Sequence, residues 1–193
     1  MRAAGSQTVR FVSRSDSTLR GHVVAEPEAI RSALRDIDAP VPATTVFIPA
    51  FPRAGRITRN GMHLVEGVDG LGLAHESQYA GDATFGYTTS FLPALVAERS
   101  GGDLTSDDVA VVAPDGVASA VREGRAAWVA CDVEDDADLG TIAGALLEAD
   151  PCAEQVLVHA SPGILPALLN LPVSSELPQL GTAPEAGGLR PEA

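Results

Sequence analysis

The feature that most constrains the fold is a repeated alternation of short apolar runs with amphipathic segments in the second half of the chain. Short β-branched runs are typical of buried strands, and an i, i+3, i+4, i+7 stripe is typical of a helix. The predicted strands are 109–113, 127–133 and 155–160. The predicted helices are 117–123, a segment that begins at 135, and 164–170. The core stripe of the second helix is Leu139, Ile142, Leu146 and Leu147. Strand-then-helix repeats form βαβ units, so we predict a three-layer α/β fold: a mostly parallel sheet with helices on both faces.

The first half of the chain adds two strands, two helices and a hairpin to this prediction. The strands are predicted at 8–12 and 44–48, and the first helix has Pro27 in its first turn and a core-facing stripe at Ile30, Ala33, Leu34 and Ile37. Asn60-Gly61, between two alternating runs, is the strongest hairpin signal and predicts a β-hairpin appendage. We predict an irregular surface excursion over 66–83, and Ser90 as the N-cap of a helix through Arg99.

Charge and composition exclude several classes of function. The formal net charge is −13 and the pI about 4.5, whereas a nucleic-acid partner needs a basic surface, so we predict none. The sequence has neither an apolar run of about 18 residues nor a signal-peptide core, which predicts no membrane association and a cytoplasmic location. The two cysteines and four histidines have no metal-ligand spacing, so we predict no metal site in this chain.

A polar turn, Ser13 to Gly21, lies between the first predicted strand and the first predicted helix. In open α/β sheets such a turn brings backbone N–H groups to a crevice that suits anions. Arg20 can hold a carboxylate through two hydrogen bonds, while Asp16 and the neighbouring hydroxyls can hold sugar OH groups. The alternative is that these residues only cap and turn the chain and that the arginine is solvated. Residue type and spacing alone do not separate the two interpretations.

Three loops are expected to share one edge of the sheet, because βα loops leave parallel strands at their carboxyl ends. These loops are 16–21, 49–56 and 161–163. Arg56, in the second loop, is either a further anion contact or a solvated surface arginine, and its residue type alone favours the second interpretation.

The same loops contain motifs of a known family. The segment Ser15 to His22, with Glu26 four residues on, resembles the D-S-T-L-R-G-[N/H] signature of the four-carbon acid sugar kinase family. The segment 48–56, followed by Asn60-Gly61, is similar to that family's A-F-P-x-x-G-R block and Gly hairpin. Further blocks resemble family patterns at 82–87 with Ser90, at 128–139 and at 159–165. The match runs from Thr8 to about Leu171, and five blocks in the same order are much more specific than one.

The resemblance implies a kinase that transfers the γ-phosphoryl group of ATP to the terminal hydroxyl of a four-carbon sugar acid such as threonate, erythronate or 3-oxo-tetronate. ATP and Mg²⁺ are then the cofactors of the complete family enzyme, and a small-molecule sugar acid is the partner of this chain. The resemblance leaves the catalytic residues unknown. It implies substrate binding by Asp16, Ser17, Thr18, Arg20, Gly21, Arg56, Ser161 and Gly163.

Two parts of the family pattern do not occur in this sequence: the aspartate-rich D-D-x-T-G opening segment and the nucleotide-binding domain with its Gly-rich phosphate loops. We therefore expect a partial sugar-acid-binding domain, 1–171, followed by a linker or disordered tail, 172–193. Alone it should bind neither ATP nor Mg²⁺ and should be inactive, so a separate nucleotide-binding domain is a candidate partner. The alternative is a non-catalytic relic or small-molecule binding module that keeps only the fold.

Overall fold

The computed structural model of the protein describes residues 9–124 and 126–171. Within these residues the chain forms eight β-strands and five α-helices. The strands are β1 (Val12–Arg14), β2 (Thr44–Ile48), β3 (Arg56–Arg59), β4 (Met62–Gly67), β5 (Gly70–Leu73), β6 (Val109–Val112), β7 (Trp128–Cys131) and β8 (Val156–Ala160). The helices are α1 (Ala25–Asp36), α2 (Leu92–Arg99), α3 (Val117–Glu123), α4 (Asp136–Ala149) and α5 (Leu165–Leu168). The predicted tail, 172–193, and Thr8 lie outside the described residues.

Five strands form the main sheet in the order β1, β8, β2, β7, β6, and every pair is parallel. All residues of the central strands β2 and β8 are buried, as expected for a parallel sheet covered on both faces. Val46 and Ile48 pack towards α3, α4 and α5, whereas Phe47 packs towards α2 and the loop after β1. The predicted α/β architecture, with helices on both faces of a mostly parallel sheet, is confirmed.

The strands β3, β4 and β5 form a separate antiparallel sheet. Its first hairpin turns at Asn60-Gly61, as predicted, and the backbone N–H groups of both residues donate to the Asp132 carboxylate, at 2.9 and 2.8 Å. Thr58 and Val133 form a bridge that fixes β3 at the end of β7. The small sheet is therefore docked at the carboxyl ends of the main-sheet strands.

The strand β5 was not predicted, because 66–83 was expected to be irregular throughout. Glycine occupies two of its four positions, and glycine is depleted in strands. Pairing with β4, in which Leu73 lies opposite Leu64, forms this strand despite its low propensity.

The glycine of the hairpin turn gives a stability prediction with an internal control. Gly61 has φ +72°, and an added Cβ would lie 2.8 Å from Val111 and 2.9 Å from Phe91. Gly61→Ala should therefore lower the free energy of unfolding by about 1–3 kcal/mol in urea titrations. Gly140 lies in α4 with open space where a Cβ would be. Gly140→Ala should therefore raise the free energy of unfolding by up to about 1 kcal/mol. Equal effects of the two substitutions would contradict this account of the turn.

The buried face of α1 differs from the prediction. Its buried residues are Pro27, Arg31 and Leu34, whereas Ile37 is 72% exposed. Arg31 faces inward because its guanidinium donates to the Pro42 carbonyl and the Thr45 hydroxyl, both at 2.8 Å. A pattern of apolar residues does not predict a buried arginine, because its burial depends on these hydrogen-bond partners.

Two further expectations were wrong in detail. In α4, Leu147 is 49% exposed and Ala143 takes its place in the buried stripe. Ser90 does not cap α2, whose N-cap is Phe91. Instead, the Ser90 hydroxyl oxygen lies 2.8 Å from both the backbone N and the ring Nδ1 of His75, so it fixes the segment after β5.

The first strand lies later in the chain than predicted, at Val12–Arg14 rather than 8–12. Among the described strands it pairs with β8 alone, which brings Ser13 opposite His159. Polar residues occupy this strand because Ser13 finds a hydrogen-bond partner in the neighbouring strand. None of the helices in the described part of the chain is long and apolar enough to span a membrane.

Candidate binding site

A cavity of about 490 Å³ lies at the carboxyl ends of β1, β8 and β2. Its wall is formed by the loop after β1 and by residues of the loops after β2 and β8, as the topology of parallel strands predicts. Three arginines, Arg14, Arg20 and Arg56, and two carboxylates, Asp16 and Glu26, line it. In a chain with a formal charge of −13, the lining of this cavity has a local excess of one positive charge, which favours an anion over a cation.

The loop after β1 is shaped by its aspartate. One carboxylate oxygen of Asp16 accepts from the Thr18 backbone N–H at 3.0 Å, and the other accepts from the Thr18 hydroxyl at 2.8 Å. Leu19 then takes a left-handed conformation, φ +64°, which costs about 1–2 kcal/mol for a residue with a Cβ. Complete burial of the Leu19 side chain, beside Phe47 and α2, compensates for this strain.

This turn presents Arg20 to the cavity in a fixed position. Its Nε donates to Asp16 Oδ2 at 2.9 Å and to the Thr18 hydroxyl at 3.0 Å, while Nη1 lies 3.7 Å from Asp82 Oδ2. Its guanidinium carbon is 5.4 Å from the centre of the Tyr79 ring. Arg20 is therefore held by neighbouring side chains, with 38% of its side chain exposed.

Arg56 approaches the same ring from the first position of β3. Its guanidinium carbon is 5.7 Å from the Tyr79 ring centre, Nη2 donates to the tyrosine hydroxyl at 3.1 Å, and Nη1 donates to the Ala54 carbonyl at 2.6 Å. Two guanidinium groups thus share one aromatic ring at the cavity wall. Tyr79 was not predicted as a site residue, because nothing local in the sequence relates it to either arginine.

A buried histidine in the small sheet positions the loop after β1. His63 Nε2 lies 2.9 Å from the Ser17 carbonyl oxygen and Nδ1 lies 3.0 Å from the Thr58 hydroxyl. Burial lowers the pKa of His63 to about 4, so the neutral ring donates from Nε2 and accepts at Nδ1. From the sequence, His63 was weighed only as a possible metal ligand. Its inward position beside Val65 in the alternation of β4 was the available signal.

Unsatisfied polar groups are concentrated at this cavity. Among the described residues, four buried side-chain polar atoms have no hydrogen-bond partner: Ser15 Oγ, Arg56 Nε, Arg99 Nε and His159 Nε2. Three of the four belong to residues that line the cavity. Because buried polar groups without partners are costly, this concentration indicates a site shaped for a polar ligand.

The structure places the predicted site residues in two groups. Those that line the cavity are Asp16, Ser17, Thr18, Arg20, Gly21 and Arg56. Ser161 and Gly163 lie behind its wall: the buried Ser161 hydroxyl donates to the Ala50 carbonyl at 2.5 Å and accepts from the Gly163 N–H at 3.3 Å. They brace the loops after β8 and β2 against each other, and Pro162 between them lines the cavity instead.

Comparison with known proteins identifies the family of this chain. Residues 1–168 match the model of a family described as the sugar-binding N-terminal domain. No curated protein is similar enough to the chain to count as a match.

Solved structures with this fold come from longer proteins. A domain of unknown function (DUF1537) from Bordetella bronchiseptica, solved as a domain-swapped dimer with bound citrate, is 31% identical with a TM-score of 0.62. The match covers 86% of this chain and 37% of that protein. A Haemophilus influenzae protein of the same family model is 21% identical, with a TM-score of 0.61 over 85% of this chain and 39% of that one. The chain therefore spans less than two-fifths of either structure.

The family model covers most of the chain, and the structural relatives share its α/β fold. The chain belongs to the sugar-binding N-terminal domain family, part of the four-carbon acid sugar kinase family (DUF1537) whose motifs its sequence contains.

Proposed function

We propose that this chain binds the acceptor of an ATP-dependent kinase, and that the acceptor is a four-carbon sugar acid such as threonate, erythronate or 3-oxo-tetronate. The observation that supports this most directly is the pair of guanidinium groups, Arg20 and Arg56, whose central carbons lie 5.4 and 5.7 Å from the centre of the Tyr79 ring in one cavity. Guanidinium groups bind carboxylates through paired hydrogen bonds, and contact with an aromatic ring restrains their orientation.

The rest of the cavity suits the hydroxyl groups of a sugar acid. Asp16 and Glu26 supply carboxylate acceptors, and Ser15 supplies a hydroxyl whose oxygen has no partner among the described residues. The cavity volume of about 490 Å³ falls within the range of about 300–1,000 Å³ that is usual for small-molecule sites. The bound citrate of the Bordetella relative, itself a hydroxy acid, supports a ligand of this chemistry.

Phosphoryl transfer also requires a bound nucleotide and charge neutralisation, which the family supplies with ATP and Mg²⁺. Within residues 9–124 and 126–171, no group of three or more His, Cys, Asp or Glu side chains is placed to hold a metal ion. Asp16, the carboxylate nearest the guanidinium pair, is already bonded to Thr18 and Arg20. The described residues therefore do not fit Mg²⁺, and the role proposed for this chain is acceptor binding in the cytoplasm, where ATP is available.

Binding without turnover is the expected behaviour of the 193-residue polypeptide. Calorimetric titration should show saturable binding of threonate or erythronate, and the same protein mixed with ATP and Mg²⁺ should form no ADP above background. The physical reason is that positioning of the transferred phosphoryl group supplies nearly all of the rate, and this sequence has no Gly-rich phosphate loop. Absence of binding by every four-carbon sugar acid tested would refute the acceptor role, and ADP formation by this polypeptide would refute its dependence on a second domain.

A further inference from the structure

A chain of hydrogen bonds leads from the cavity rim to a buried histidine in β8. The Ser13 hydroxyl donates to Glu26 Oε2 at 3.1 Å, and its oxygen lies 3.0 Å from His159 Nδ1. Both Glu26 and His159 line the cavity. This arrangement depends on the pairing of β1 with β8, in which Ser13 lies opposite His159.

The hydrogen bonds determine which ring nitrogen of His159 holds the proton. A carboxylate only accepts, so the single hydroxyl proton of Ser13 is directed to Glu26. Ser13 must then accept from His159, which places the ring proton on Nδ1 and a lone pair on Nε2. Burial lowers the pKa of His159 to about 4, which keeps the ring neutral near pH 7.

Packing holds the ring in place. His159 is 1% exposed, stacks on Phe47 with ring centres 5.4 Å apart, and meets Trp128 edge to face at 6.4 Å. Its Nε2 is one of the buried atoms without a partner among the described residues. A fixed acceptor without a partner, on a residue that lines a ligand cavity, calls for a donor from the ligand.

We propose that His159 Nε2 accepts a hydrogen bond from a hydroxyl group of the bound ligand, so that the site selects hydroxy acids over carboxylic acids without that hydroxyl. The inference rests on the proposed function for the choice of ligands. In it His159 is a binding residue, and Ser13 and Glu26 are positioning residues that fix its tautomer.

The chemistry of the unpartnered atoms explains the selectivity. A ligand carboxylate has no proton to donate and cannot satisfy Nε2, whereas it can accept from Arg56 Nε, which only donates. A site that leaves a buried acceptor unpaired rejects the analogue that lacks the matching hydroxyl. The inference therefore predicts that one particular hydroxyl, rather than total polarity, controls affinity.

A double-mutant cycle between protein and ligand tests the contact. The affinities of threonate and of its 2-deoxy, 3-deoxy and 4-deoxy analogues are measured for the wild-type protein and for His159→Phe, which keeps the ring and removes the acceptor. We expect the variant to bind threonate at least about tenfold more weakly, the loss of one buried hydrogen bond. One of the three analogues should bind the two proteins equally. If all three lose the same factor as threonate, no hydroxyl pairs with His159 and the inference is wrong.

Nuclear magnetic resonance of the wild-type protein with ¹⁵N-labelled histidine gives a readout that does not depend on the folding of a variant. The Nε2 resonance of His159 should have the position of an unprotonated nitrogen and should move towards that of a hydrogen-bonded one as threonate saturates the site. Ser13→Ala should increase the share of the other tautomer, which a merely structural role for Ser13 would not do. An unchanged Nε2 resonance at saturation would overturn the inference.

The outcomes also separate this inference from the proposed function. If threonate binds the wild-type protein, and Arg20→Ala weakens this binding while His159→Phe does not, the chain still binds the sugar acid as proposed. The proposed contact with His159 is then wrong. If no four-carbon sugar acid binds the wild-type protein, both are wrong.

Discussion

Replacing Arg20 by alanine is expected to weaken the binding of threonate or erythronate by about 1.5–3 kcal/mol, the usual contribution of a hydrogen bond to a charged group, because 38% of its side chain is exposed to solvent. The side chain is held by Asp16 and lies over Tyr79, so its guanidinium is oriented before the ligand arrives. Removal also leaves the Asp16 carboxylate without one of its partners, next to an anionic ligand. Calorimetric titration of both proteins measures the difference.

Two further variants make this measurement specific. Arg20→Lys keeps the charge but loses the planar fork, so most of the affinity loss should remain. Arg122→Ala removes one positive charge from the exposed pair that Arg122 of α3 forms with Glu148 of α4, and it should leave affinity within error of the wild type. If Arg122→Ala and Arg20→Ala weaken binding equally, the effect is general electrostatics and the Arg20 contact is not supported.

Acidification from pH 7 to pH 5 is expected to lower the free energy of unfolding by about 4 kcal/mol. Burial is the main cause that lowers the pKa of both His63 and His159 from 6.5 to about 4 in the folded chain. Between these two pH values the unfolded chain binds protons that the folded chain excludes. The stabilisation is therefore complete above pH 6.5 and is lost as the pH falls towards 4. Each histidine lowers the free energy of unfolding by about 1.4 kcal/mol for each pH unit below 6.5. The combined loss is large compared with a typical domain stability of about 5–15 kcal/mol.

Urea unfolding at several pH values, in wild type and in two single variants, checks this prediction. His159→Phe and His63→Gln should each remove about one proton from the slope of unfolding free energy against pH between pH 5 and 6.5. Backbone N–H groups lower the pKa of Asp82 and Asp108, and the Arg59 guanidinium lowers that of Glu134. These acids also destabilise the fold on protonation, but they titrate below their ordinary carboxyl range and so below this interval. A wild-type slope of zero above pH 5 would mean that neither buried histidine excludes protons.

Apart from β5, the sequence alone determined the order of the main helices and strands, and it placed the cavity at the edge of the sheet. Local periodicity is enough to place β2 at Thr44–Ile48, α3 at Val117–Glu123 and the hairpin at Asn60-Gly61, because each is set by residues close in the chain. Because the loops that follow parallel strands lie at one edge of the sheet, the loops after β1, β2 and β8 were predicted to lie close together. The motif that begins at Asp16 lies in the first of these loops.

Only the tertiary structure decided which side chains meet in that cavity. Ser13 and His159 are 146 positions apart and touch because β1 pairs with β8. Arg20 and Arg56 both contact Tyr79, which lies in a segment of no clear pattern. Such contacts depend on register and on the docking of one sheet against another, and neither leaves a signal in local residue spacing. The burial of Arg31 was not predicted for the same reason. Its hydrogen-bond partners, the Pro42 carbonyl and the Thr45 hydroxyl, lie outside α1 and come close to it only in the folded chain.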